Sequence, residues 1–159
     1  MGHQSVMKAA ALAAMTCGYC PVASAQQHLP PDPVFCDPAS HPQDAVTAAP
    51  YSHHVMYEDE HVRVLEISLP PGAREPVHVH ALPSVIYGET GGEGGAKFLY
   101  TEYRWMNGEF IEVAQNEVEP TPGTRAVWTG PEGPHAITNI GPVGVRFTRI
   151  EIKPESCAR

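Results

Sequence analysis

A chain of 159 residues with 18% charged and 42% hydrophobic side chains holds one compact domain and leaves no room for a second of ordinary size. The formal net charge of −8 arises from 18 acidic against 10 basic residues, and no Lys/Arg cluster interrupts it, which excludes a phosphate-neutralising nucleic-acid surface. With 14 glycines and 17 prolines, the composition favours turns and strands over long helices.

Residues 1–25 read as an export signal peptide. Lys8 gives the basic start, "AAALAAMTCGYCPVA" the apolar stretch, and Ala23-Ser24-Ala25 a small-residue cleavage site before Gln26. The apolar run is shorter than the roughly 20 residues that a spanning helix needs, so no membrane span is expected and the mature chain is placed in the periplasm or secreted. Residues 26–50, "QQHLPPDPVFCDPASHPQDAVTAAP", are so rich in proline and small polar side chains that they predict an irregular proline-rich arm without regular helix or central strand. Of 4 cysteines, Cys17 and Cys20 leave with the signal peptide. Cys36 and Cys157 remain near the two ends, either as a disulfide tying the arm to the last strand or as two free thiols.

From Tyr51 the pattern changes. "HHVMYEDEHVRVLEISL" contains two alternating runs split by Glu58-Asp59-Glu60, which predicts a hairpin with Arg63, Leu65, Ile67 and Leu69 on one face and Val62, Val64, Glu66 and Ser68 on the other. Further on, "KFLYTEYRWM" and "EFIEVA" flank Asn107-Gly108, the dipeptide most strongly associated with a type I′ turn. "RAVWT", "HAITNI" and "VGVRFTRIEIK" supply the closing strands. Short strands at such spacing, with no helical periodicity after the signal peptide, predict an all-β sandwich or barrel over residues 51–159.

Within "PPGAREPVHVHALPSVIYGETGG", strand alternation points His78 and His80 to one face and Val79 to the other. His135 follows downstream, after the turn-forming "GPEGP". Imidazole is the commonest ligand for zinc, copper, iron or nickel, and three from two strands make a facial site with open positions. His53, His54 and His61 lie in or beside the first hairpin and are expected to be exposed and outside that site, while His28 and His41 belong to the arm. Tyr87 and Trp128 flank the motif strands and are expected either to pack the barrel wall or to line a pocket. No nucleophile elbow, phosphate loop or dinucleotide fingerprint competes.

These residues resemble the single-domain cupins, which are small jelly-roll barrels. Gly72, His78, His80 and Gly92 fit the first cupin motif, but Val85 stands where the family has glutamate. Gly123, Pro131, Gly133, His135 and Asn139 fit the second motif more loosely, with a stretched interval before Pro131 and one residue missing before His135. The resemblance runs from Met56 to Lys153. It implies an all-β cupin-type jelly-roll β-barrel, with His78, His80 and His135 as ligands of one divalent transition metal and Asn139 in a supporting or structural role. Without the glutamate the +2 charge of the metal stays uncompensated, which favours Fe, Cu, Ni or Zn, unless Glu89 substitutes as a ligand. The implied function is an exported metal-dependent oxidoreductase of the dioxygenase type, acting on a small organic or sugar-derived substrate. The alternative is a non-catalytic periplasmic module that binds metal or a small ligand, suggested by the absence of an obvious general base near the motif. The partner expected is thus a small molecule, with a homodimer left open as the assembly.

Overall fold

The computed structural model describes residues 36–88, 95–119 and 126–157. The segment read as a signal peptide, the cleavage site expected before Gln26, His28, Glu89, Gly92 and Gly123 lie outside the described residues. The strands in chain order are β1 (His53–Glu58), β2 (Val62–Leu69), β3 (His78–His80), β4 (Ser84–Gly88), β5 (Phe98–Met106), β6 (Glu109–Val118), β7 (Ala126–Thr129), β8 (Glu132–Asn139) and β9 (Val145–Ile152). They form two antiparallel sheets, ordered β1-β2-β9-β4-β7 and β3-β8-β5-β6. With β1 set aside as an added edge strand, the remaining eight strands follow the jelly-roll order of two interleaved Greek keys. The chain therefore has the all-β, cupin-type fold.

The strand pattern of β2 is the one its alternation predicts: Arg63, Leu65, Ile67 and Leu69 are buried and their neighbours half-buried. Glu58 pairs with Arg63, so the first turn is Asp59-Glu60-His61, one residue later than the sequence pattern suggests. Asp59 Oδ1 fixes it by accepting from the backbone of His61 and Val62 at 2.8 Å each. Asn107 and Gly108 both have positive φ, 54° and 90°, as the tight hairpin between β5 and β6 requires. β8 begins at Glu132, inside the segment read as a turn, because Glu132 pairs with His80 of β3. Leu69, Ala96 and Val145, with Phe98 and Ile137 packed against them, form one apolar cluster of a core that also includes the buried Leu65, Ile67 and Leu82.

The arm departs from the expectation of irregularity. Pro38–Ser40 form a 3₁₀ turn and Ala45–Ala48 a one-turn helix, α1. The helix forms because Asp44 occupies the N-cap and accepts from Val46 N at 3.1 Å, while the prolines flank the turn rather than interrupt it. The arm is also fastened to the barrel. Val79 N donates to Gln43 O at 2.7 Å, Asp44 pairs with Arg63, and a disulfide joins Cys36 to Cys157 with Cα atoms 5.2 Å apart.

Candidate metal centre

Strand alternation in β3 buries His78 and His80, and their exposures are 0% and 2%. Register then brings in the third histidine: His78 and His135 are Cα partners across the β3–β8 ladder, with ring centroids 4.4 Å apart. His80 and His135 lie 5.7 Å apart on the same measure. The strands thus place His78, His80 and His135 in one cluster.

His53 joins them, contrary to the expectation of an exposed residue outside the site. It is 3% exposed, and its ring lies 4.7 Å from that of His78 and 5.2 Å from that of His80. One nitrogen each of His53, His78 and His80 lies within 4.8 Å of the others. Only the first residue of β1 is buried, so the exposed Val55, Met56 and Tyr57 that follow conceal the inward turn of His53. Its position is set from outside the strand, by His53 N donating to Ala49 O at 3.1 Å behind α1. Two overlapping triads result, both containing His78 and His80, but among the described residues only the one with His53 brings its ligand nitrogens within 4.8 Å of one another, and the one with His135 is joined by ring contact. His54 and His61 are exposed, as expected.

The outer ring atoms are held by the protein. Nδ1 of His78 donates to Pro76 O at 2.9 Å, Nδ1 of His135 to Gly133 O at 2.8 Å, and Nδ1 of His80 to Glu151 Oε1 at 2.8 Å. These acceptors fix the proton on Nδ1 and leave each Nε2 lone pair free, the arrangement that ligating imidazoles use. Nε2 of His78 is buried without any hydrogen-bond partner. The support extends outward: Glu151 Oε2 accepts from Arg63 Nε at 2.6 Å, and Asp44 accepts from both terminal nitrogens of Arg63 at 2.9 and 2.7 Å. Burial lowers the pKa of all four histidines, that of His53 to about 3, so they are neutral at pH 7 as metal ligation demands.

The carboxylate does not come from β4. Val85 and Tyr87 point away from the interior, while Ser84 and Ile86 point inward, and Ser84 Oγ accepts from Arg149 Nε at 2.9 Å. Instead Glu75, in the loop before β3, lies 3.7 Å from His53 Nδ1 and 3.9 Å from His78 Nε2. Neither of its oxygens has a hydrogen-bond partner, and burial pushes its pKa up to about 7. Sequence reasoning missed Glu75 because a continuous strand would place it opposite His78; the bend at Val77 and a bond from Glu75 N to Ile137 O at 2.9 Å turn it inward.

The cluster opens on a cavity of about 60 Å³. Ile67, Ile86, Ile137 and Phe147 form its apolar wall, and Glu132 and Arg149 its remaining polar side. Tyr100 stacks on His135 at 5.0 Å and steadies that ring. Tyr87 and Trp128, considered for the pocket, are 41% and 63% exposed on the outer face of their sheet and do not line the cavity. Asn139 is structural: its Nδ2 donates to Leu69 O and Val143 O at 2.9 and 2.8 Å, and its Oδ1 accepts from Gly141 N at 3.0 Å. Neutral imidazoles with free inner nitrogens and an unpaired buried carboxylate fit a divalent transition metal, for which such groups are otherwise costly to bury.

No family model matches the chain, and no curated protein matches it. Solved structures do. A cupin domain from Bordetella pertussis Tohama I is 20% identical with a TM-score of 0.46, over 64% of this chain and 92% of that one. An RmlC-like cupin family protein with a double-stranded β-helix fold, from Methanocaldococcus jannaschii, is 16% identical with a TM-score of 0.42, over 64% and 78%. A cupin superfamily protein from Desulfitobacterium hafniense DCB-2 is 10% identical with a TM-score of 0.42, over 64% and 76%. The fold assignment rests on this chain's own strand order.

Proposed function

We propose that this cupin-fold chain is an exported, metal-dependent oxidoreductase of the dioxygenase type, acting on a small organic substrate. The observation that carries the reading is the common orientation of His78, His80 and His135, whose Nδ1 atoms are each occupied by an outer acceptor. His78 and His80 would hold one iron, copper, nickel or zinc ion together with His53 and His135 on either side, and Glu75 stands close enough to compensate its charge. When bound, a redox-active ion of this kind supplies electron transfer and open coordination positions. The chain's own residues orient the ligands through Glu151 and Arg63, and the isoleucine and phenylalanine wall excludes water from them. Export is supported by the signal-peptide pattern and by a disulfide of the kind that persists in oxidising compartments.

The small volume of the cavity favours a second reading, a non-catalytic binder of a metal or small ligand. Metal analysis of protein purified without added ions, followed by oxygen-uptake screening with small organic acids and alcohols, separates the two. A redox metal with turnover supports the oxidoreductase, zinc without turnover supports the binder, and protein that takes up no metal refutes the oxidoreductase and leaves of the second reading only a small-ligand binder.

A further inference from the structure

Arg149 presents a feature that the metal site does not use. Its side chain is 3% exposed and lines the cavity beside the histidines. Nε donates to Ser84 Oγ at 2.9 Å and lies 3.7 Å from Glu151 Oε1, and Nη1 donates to Glu132 Oε2. Nη2 is buried with no partner at all. A guanidinium nitrogen left unpaired beside an apolar wall is a costly arrangement unless an acceptor arrives with a ligand.

The placement of Arg149 is built by the fold. It lies on the inward face of β9, opposite Ile86 of β4 and Leu65 of β2, at the closed centre of the five-stranded sheet. Ser84, three residues after Ala81 at the head of β4, takes the inward position next to it and anchors Nε. A strand from which the cupin resemblance expects a carboxylate thus supports a cation instead.

We infer that Arg149 forms a subsite for a small carboxylate anion, whose oxygen accepts from Nη2 while the rest of the anion faces the histidine nitrogens. The inference rests on the metal-centre reading for the ligand's second contact, while the Arg149 contact stands on its own geometry. Guanidinium favours the planar oxygens of a carboxylate over a neutral acceptor because the bond is charge-assisted. Size narrows the class. The cavity, about 60 Å³ against the roughly 10–15 Å³ that one enclosed water needs, has room for an ion together with a ligand of formate or acetate size.

The test uses the mature protein with its disulfide intact, loaded with cobalt(II), and titrates it with sodium formate and sodium acetate against formamide and acetamide at constant ionic strength. The visible cobalt spectrum and calorimetry read binding. The carboxylates should bind at least about tenfold more tightly than the amides of the same shape, a difference of about 1.4 kcal/mol. Arg149→Lys should lose most of that preference while cobalt content stays unchanged. Thermal unfolding of chelator-treated wild-type protein reads the arginine alone, and formate should raise its midpoint where formamide does not. Failure to take up cobalt refutes the metal centre, and the chelated protein then still decides the anion subsite. Equal binding of formate and formamide by wild-type protein in both forms overturns the inference even if the lysine variant does not fold, as does an Arg149→Lys variant with unchanged formate affinity.

Discussion

Glu151 and His80 form a buried pair, Oε1 to Nδ1 at 2.8 Å, in which the carboxylate fixes the imidazole proton on the side away from the cavity. Glu151→Gln keeps the shape of the acceptor and removes its charge, so the tautomer of His80 is less firmly held. Metal affinity, read by competition with a chromophoric chelator, should fall by about 10-fold to 100-fold. Unchanged affinity would show that Glu151 serves only its partner Arg63.

The overlapping triads predict graded losses. His78→Ala or His80→Ala removes a nitrogen from both triads and should weaken metal binding by orders of magnitude, whereas His53→Ala or His135→Ala removes one from a single triad and should weaken it less. His61→Ala, at an exposed position, should change nothing. Metal content and competitive titration of the five variants check this, and full metal content in His78→Ala would refute the site.

Glu75 gives a pH dependence with a definite sign. Its pKa rises from 4.5 to about 7 on folding, so the native state holds the extra proton and stability from this group falls as pH climbs between those values. The buried histidines act oppositely: their lowered pKa values make the unfolded chain the better proton binder, and stability is lost as pH falls below 6.5. In metal-free protein, Glu75→Gln should therefore be favoured over wild type by up to about 3 kcal/mol more at pH 8 than at pH 4.5. With metal present the same variant should bind the ion more weakly. Denaturant unfolding at the two pH values, with and without metal, measures both effects, and parallel curves would refute the assignment.

The disulfide closes a span of 121 residues. Reduction, or the Cys36→Ala/Cys157→Ala double variant, should cost roughly 5 kcal/mol of stability in the chain-entropy account. A reduced protein that melts at the same temperature would show that the arm holds by its other contacts alone.

Export predicts that N-terminal sequencing of the secreted protein starts at or near Gln26. A start before Ala23 would refute the cleavage site.

What the sequence made readable was local. The alternation of β2, the Asn107-Gly108 turn and the shared face of His78 and His80 follow from a period of two residues and from backbone preferences of single positions. His135 was reachable because its motif survives in recognisable form. His53 and Glu75 were not, since their burial is decided by contacts outside any strand pattern: Ala49, just behind α1, holding His53, and the distant Ile137 of β8 holding the loop that carries Glu75. Tyr87 and Trp128 failed for a different reason. Nearness to a motif strand says nothing of which face a side chain takes, and these two occupy the outward one.

Asp44 bears on how separable the barrel is. Its carboxylate holds Arg63, Arg63 holds Glu151, and Glu151 orients His80, so a residue from the arm stands at the head of a chain of contacts ending at a ligand nitrogen. A fragment trimmed to begin at Tyr51, where the strand pattern starts, would keep every described strand yet leave the Arg63 guanidinium without two of its three hydrogen bonds. Modularity in this protein is therefore asymmetric: the described part of the arm adds only a single bridge, Asp44 to Val79, and no strand to either sheet, but the barrel depends on it for the alignment of its interior, and any transplant of the site to another scaffold has to carry Asp44 with it.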